Sequence, residues 1–508
     1  MNNRTKTRAN IKDKSASTLR QSMNQRRHDL SSKIRKSRRT HQIQLKRRLD
    51  SSAPPSIMSS STSTLTKNKK SLKEAIEFFL THPNEPLALT ELQSSFSSHV
   101  SSASSPSNET NLSSDYFANE LLNNHREQAN QLVTLLHTIF ISSSSLAPTA
   151  ASSTTVTGTD TNNYYSKLEI LRILTNFAAT TNTAGGDDDM SYYGKATQSW
   201  CEFMIQHPCN ILNTILLPSL QLISSITSTS SSPTESLEIK EKLKMIGQAC
   251  WVTGNLAGDS QKIRTIITTQ SNTIHELIQV YKQTSYILLK SLSASSSMSM
   301  QLYSQDSDTM KEIVESVRNS IWALSNIARG DTSALLFVNS SLSSLDFIPI
   351  LEQDTNLGIS SSSSWNNPIV TNGTVSWIDI QIEIYWLLVY LTAKEDVACE
   401  MLLHSLPSLS SSSTSSPSPS LIDILAFHLD QATTMILESC HDTKHKKTVT
   451  RDDNIVVRMI IPLIRIVGNL ACTASGKFIP TLLMTNIQSQ EQQYQQYQQQ
   501  TNHQQEQQ

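Results

Sequence analysis

Glycine is scarce in this chain, 12 in 508 residues, and none of the glycines falls in a phosphate-cradling pattern. The chain has no G-x-x-x-x-G-K-[ST], no G-x-G-x-x-G, no G-x-S-x-G and no H-E-x-x-H. Nucleotide-loop, dinucleotide, serine-hydrolase and zincin chemistry therefore have no sequence support. Neither catalysis nor a cofactor is expected.

Long apolar runs are also missing. The most hydrophobic window, "IDIQIEIYWLLVYLTA", is broken by Asp379 and Glu383, so no stretch of eighteen uncharged apolar residues is available to span a bilayer. The opening "MNNRTKTRANIKDKS" lacks the apolar core of a secretory signal. A protein of the cytoplasm and nucleus, with no membrane partner, is expected. Cysteine is sparse: Cys201, Cys209, Cys250, Cys399, Cys440 and Cys472 stand without C-x-x-C spacing. That suits buried free thiols in a reducing compartment. Cys440, His441 and His445 in "CHDTKHKK" lack a fourth ligand, so no metal site is expected.

Serine is abundant and clustered, as in "ISSSSLAPTAASSTTVTGTDTNN" and "SLPSLSSSSTSSPSPS". Such tracts bury too little apolar surface to offset ordering entropy, and they read as inserts in a scaffold. Between them the apolar spacing is helical, and one frame recurs. In "ACWVTGNLAGDS", Trp251 and Asn255 lie four apart on one face, with Ala249, Val252, Thr253 and Leu256 striping the other. The tryptophan is thus expected to point away from the core. The same frame places Trp322 with Asn326, Trp386 with Tyr390, Arg465 with Asn469, and Arg172 with Asn176.

Self-similarity of this kind marks a repeat protein, in which stacked units build a continuous core. The anchors are 64 to 79 residues apart, beyond the roughly 40 to 47 of HEAT and armadillo units; the serine inserts account for the difference. Gly330, in "ARGDT", is expected to stop a helix, with Asp331 simply following it.

Charge is divided unevenly. The formal net charge is −1, yet residues 1–50 hold sixteen Lys and Arg against three Asp, leaving an acidic remainder. Within that arm, "RRHDLSSKIRKSRRTHQIQLKRRL" interleaves basic clusters with Leu30, Ile34, Ile43 and Leu45. A helix formed against an acidic partner is one reading; non-specific binding to nucleic acid is another.

The arm resembles the importin-beta-binding segment of importin alpha. The stretches "IGQACWVTGNLAGDS", "VRNSIWALSNIARGD" and "VGNLACTAS" resemble that family's armadillo repeats, in the family's order. Trp251/Asn255 match the third repeat and Trp322/Asn326 the fourth. Trp386/Tyr390 match the fifth, where the family also has Trp and Tyr, and Arg465/Asn469 match the sixth, where it also has Arg.

The resemblance implies an all-α fold, a right-handed armadillo α-solenoid. It divides the chain into a basic segment at 1–50, a linker at 51–70, a solenoid with serine-rich inserts at 71–486 and a glutamine-rich tail at 487–508. It implies a nuclear import adaptor that shuttles between cytoplasm and nucleus, with importin beta and proteins bearing basic nuclear localisation signals as partners. Direct nucleic-acid binding is not expected.

The implied groove uses Asn176, Asn255, Asn326 and Asn469 as a ladder holding an extended peptide by its backbone, an amide being able both to donate and to accept. Exposed rings of Trp251, Trp322 and Trp386, with Tyr390 and Arg465, form slots for basic side chains. Asp259 and Glu383 receive their ammonium groups. On the arm, Arg26, Arg27, Arg35, Lys36, Arg38, Arg39, Lys46, Arg47 and Arg48 are the implied contacts, and Lys46–Arg48 match a cluster that occupies the family's own groove as a pseudo-cargo. Two departures stand out. Arg172 replaces the tryptophan of the second repeat, and beyond residue 486 a glutamine-rich tail replaces the seventh to tenth repeats. An armadillo interaction scaffold without general cargo carriage is the alternative.

Overall fold

The structure is a computed structural model. It describes residues 71–83, 85–97, 114–143, 159–179, 198–226, 233–293, 307–352, 377–403, 420–441 and 451–472. The described residues are helical, with no strand among them. The basic arm, the linker and the glutamine-rich tail lie outside the described residues.

The chain divides into two compact units, one of residues 1–128 with 179–194, the other of 129–178 with 195–508. The first contains α1 (Leu72–Thr81), α2 (Pro86–Ser97) and α3 (Ser114–Asn124). Here α1 opens on a capping box: Ser71 Oγ accepts from the Glu74 amide at 3.3 Å while Glu74 Oε2 accepts from the Ser71 amide at 2.8 Å. Two otherwise orphaned donors are thereby satisfied. Leu72, Ala75, Ile76 and Phe79 form the buried face, as their three- and four-residue spacing requires.

The second unit takes most of α4 (Arg126–Ser142), then α5 (Thr159–Ala179), α6 (Trp200–Gln206) and α7 (Leu217–Gln221). The long α8 (Pro233–Asp259), α9 (Gln261–Gln270), α10 (Thr273–Ser293) and α11 (Ser307–Ala328) follow. The short α12 (Leu335–Asn339) and α13 (Ile348–Leu351) lead to α14 (Trp377–Thr392), α15 (Asp396–Leu403), α16 (Leu421–His441) and α17 (Arg451–Ala471). Serine again supplies the helix starts: Ser199 Oγ accepts from Glu202 N at 3.0 Å, and Ser260 Oγ from Ile263 N at 3.3 Å.

Five of these helices, α5, α8, α11, α14 and α17, carry the recurring frame, and consecutive ones touch in chain order. Between α8 and α11 the register is parallel. Ser316 Oγ donates to Leu243 O, Asn319 Nδ2 to Gly247 O, Asn326 Nδ2 to Gly254 O and Arg329 Nη2 to Gly258 O, at 2.8 to 3.2 Å. This close approach has a local cause. Gly247 and Gly254 lie seven apart on one face of α8, and a Cβ at Gly254 would collide with the Trp322 ring. Only glycine leaves room for a ring against the helix backbone.

The expected separation of a core stripe from a solvent-facing tryptophan face does not hold. In α8 the stripe residues Ala249, Val252, Thr253 and Leu256 are buried, and so are Trp251 and Asn255 on the other side. The physical reason is stacking on both sides: α8 lies between α5 and α11 and is covered all round. Gly330 does end α11, with φ +78°, as the sequence leads one to expect. Five cysteines are described, all free; Cys201, Cys250 and Cys399 are buried and Cys209 is half-buried. Cys472, expected to be buried, is exposed because it follows the last turn of α17.

Candidate functional site

The frame residues converge into one file along the second unit, held by a regular hydrogen-bond rule. Asn255 Nδ2 on α8 donates to Thr175 O on α5 at 3.5 Å; Asn326 Nδ2 on α11 donates to Gly254 O on α8 at 3.1 Å. Asn469 Nδ2 on α17 donates to Val389 O on α14 at 3.0 Å and to Thr392 Oγ1 at 3.1 Å. In every case the acceptor is the carbonyl immediately before the preceding helix's frame residue, Asn176, Asn255 or Tyr390. Each amide therefore staples its helix to the one before. In this structure these donors are directed at carbonyls of the fold.

The aromatic residues also turn inward. Trp251 is 3%, Trp322 9% and Trp386 2% exposed, so the expected exposed slots are closed. Trp251 and Trp322 stack with centroids 5.1 Å apart at 25°, and Trp386 and Tyr390 at 6.3 Å and 28°. Offset stacking of this kind adds to the area each ring buries. The guanidinium of Arg465 lies 5.4 Å from the Trp386 centroid. It makes internally the cation–π contact expected of a bound basic side chain.

The carboxylates divide. Asp259 is exposed at the end of α8 and accepts from Ser199 Oγ at 2.9 Å. Glu383 is buried, because α14 is packed on every side, so it is not displayed at a surface. Asn176 is buried on α5. Beside it Arg172, half exposed, is tied to the buried Glu169 at 2.6 Å, which compensates its charge. The arm residues Arg26 to Arg48 lie outside the described residues. So does His445, and the side chains of Cys440 and His441 are not described. Among the described residues no cluster of three His, Cys, Asp or Glu could hold a metal, and no helix is long and apolar enough to cross a membrane.

The structure adds residues that the recurring frame did not single out. Basic side chains cap the carbonyl ends of the stacked helices, where the dipole favours cations. Arg264 Nη1 donates to Ala257 O at 2.9 Å, Arg329 Nη2 to Gly258 O at 2.8 Å, and Lys394 Nζ to Ala328 O at 2.6 Å and to Thr332 O. Burial lowers the pKa of Arg264 and pushes Lys394 down to about 8, against the opposing pull of Asp331 and Glu395. A second inner contact joins α14 to α16, where Tyr385 OH and His428 Nδ1 meet at 2.6 Å. Burial holds His428 down to about 4. Asn319 was legible in principle: it stands seven before Asn326, as Gly247 stands seven before Gly254.

No protein-family model matches the chain, and neither the curated proteins nor the solved structures include a match to it.

Proposed function

We propose that this chain is a nuclear import adaptor of importin-alpha type, an armadillo α-solenoid that binds basic localisation signals along its file of Trp, Tyr and Asn residues and engages importin beta through its basic arm. The observation that carries this proposal is the staple rule. Asn255, Asn326 and Asn469 each reach the carbonyl before the preceding frame residue, so residues that the resemblance assigns to one groove are stacked in one file. Polar and aromatic side chains repeating along stacked helices offer an extended chain the same chemistry at each step once the ring pairs part. Asp259 offers an exposed carboxylate at its edge.

A basic peptide has to part ring pairs to enter. Binding therefore separates Trp251 from Trp322, or displaces Arg465 from Trp386, and shifts tryptophan emission. The test is fluorescence anisotropy of a labelled Lys/Arg-rich peptide with the full chain, with a Lys46→Ala, Arg47→Ala, Arg48→Ala variant, and with Trp251→Ala, Trp322→Ala added to that variant. Micromolar or tighter binding by the arm variant, weaker binding by the wild type and loss in the tryptophan variant are expected. Absence of binding by the arm variant overturns cargo carriage.

The second function, an armadillo scaffold that no longer carries general cargo, is favoured by the closed ring pairs and by Arg465 over Trp386. Importin beta captured by the chain without any peptide binding would select it.

A further inference from the structure

Buried polar side chains of α11 find partners in the stack itself: Ser316, Asn319 and Asn326 each donate to a carbonyl of α8. On α14 that provision fails along one ridge. Trp377, Gln381 and Tyr385 stand four residues apart and so lie one above the other, with a rise of about 6 Å per step. Gln381 is 0% exposed, and both its amide nitrogen and its amide oxygen are buried without a hydrogen-bond partner. The Trp377 indole N–H, one turn earlier, is in the same position. One turn later Tyr385 OH meets His428 Nδ1 of α16 at 2.6 Å. The other ring nitrogen of His428, Nε2, is again buried and unpartnered, as is Oε1 of Gln431 three residues further along α16.

The chemistry of these atoms defines what satisfies them. An indole N–H only donates, an amide donates and accepts, and an imidazole nitrogen does one or the other according to its tautomer. None of them carries a charge: burial keeps His428 neutral, and Asp379 on α14 is paired with Arg458 of α17 at 2.7 Å. An ion among them would be buried without a counter-charge, which is strongly unfavourable. A large guest is excluded too, because Tyr385 and His428 are in direct contact. What fits is small, neutral and able both to donate and to accept.

We propose that ordered water occupies the joint between α14 and α16, bridging the Gln381 amide to the Trp377 indole and to His428 Nε2. One water between two partners spans about 5.5 to 6 Å, which matches the step of the ridge. Buried water typically makes about three bonds to polar groups otherwise left unpaired. The site lies on another face of the helix that carries Trp386 and Tyr390, so at α14 the aromatic file is backed by a wet joint.

Two measurements on the full chain test this. In the first, the tryptophans are labelled with nitrogen-15 and the Trp377 indole signal is identified by its disappearance in Trp377→Phe. That indole is expected to exchange slowly with solvent and yet to show cross-relaxation with water, and the water signal is expected to fall by about half or more in Gln381→Met. A slowly exchanging wild-type indole with no water signal overturns the proposal, as does an indole in rapid exchange with bulk solvent. The second is the urea midpoint of Gln381→Met, which removes the amide at nearly constant volume. A lower midpoint than that of the wild type is expected, because the amide's bonds to water are lost. A higher midpoint shows that the amide was buried dry, and overturns the proposal as well.

Discussion

Gly254 shows how one missing methyl group organises a layer. Because the Trp322 ring packs against it, Gly254→Ala drives a Cβ into the ring, and α8 and α11 have to separate. Overpacking of a tight contact typically costs about 1 to 3 kcal/mol, whereas glycine to alanine in an open helix stabilises by roughly 0.5 to 1. Denaturant titration is therefore expected to find Gly254→Ala destabilised by about 1 to 3 kcal/mol despite its better helix propensity. Asn326 acts through a bond. Asn326→Ala removes the donor to Gly254 O and leaves a buried gap beside it, with an expected loss of about 1 kcal/mol by the same titration.

Besides the asparagine staples, elements are joined at their ends and by a buried Tyr–His pair. Lys394, from the turn after α14, donates to carbonyls at the end of α11. Lys394→Met keeps the aliphatic stem and removes the donors, so a loss of about 1 kcal/mol is expected, with faster amide exchange at the C-terminal turn of α11 as the specific readout.

His428 ties α16 to α14 through Tyr385, and folding keeps it neutral. Its folded pKa of about 4 lies below the ordinary histidine value of 6.5. The unfolded chain thus binds more protons between the two values. The contribution is complete above pH 6.5 and is lost as pH falls from there to 4, on the order of 3 kcal/mol. Urea midpoints measured across that window are expected to fall in the wild type. In His428→Gln they are expected to be lower at pH 7 and flatter with pH, while an identical slope in both proteins would refute the assignment.

At the scale of the molecule, the divided charge matters most. Sixteen basic residues in the first fifty are tethered to an acidic remainder; under the proposed function the arm is expected to compete with a basic ligand at high effective concentration. Raising salt weakens both the arm and the ligand. The advantage of the Lys46→Ala, Arg47→Ala, Arg48→Ala variant over the wild type in peptide binding is expected to shrink from 50 to 300 mM salt, as anisotropy would show. An unchanged ratio would remove electrostatics as the basis of self-competition.

Much of this was legible in the chain itself. The recurring frame at Asn176, Asn255, Asn326, Tyr390 and Asn469 follows from helical spacing alone, and so does the stop at Gly330, because periodicity and backbone permission are local properties. What opposes each face was not legible. The frame puts Trp251 beside Asn255 without stating that Trp322 closes on the ring or that the amide reaches Thr175 on α5. Glu383 looked like a surface acid from its charge, yet the packing of α14 buries it. Arg172 looked like an unmatched cation until Glu169, three residues earlier, was seen to hold it.

Composition, periodicity and charge by themselves determined an all-helical chain with repeated frames, serine-rich interruptions and a basic arm, since these depend on residues near one another in sequence. The tertiary structure alone decided that the asparagines staple helix to helix and that the tryptophans stack in buried contact. The partners in those contacts lie some seventy to eighty residues apart, and only close packing of the helices, which Gly247 and Gly254 permit between α8 and α11, brings them within hydrogen-bonding distance.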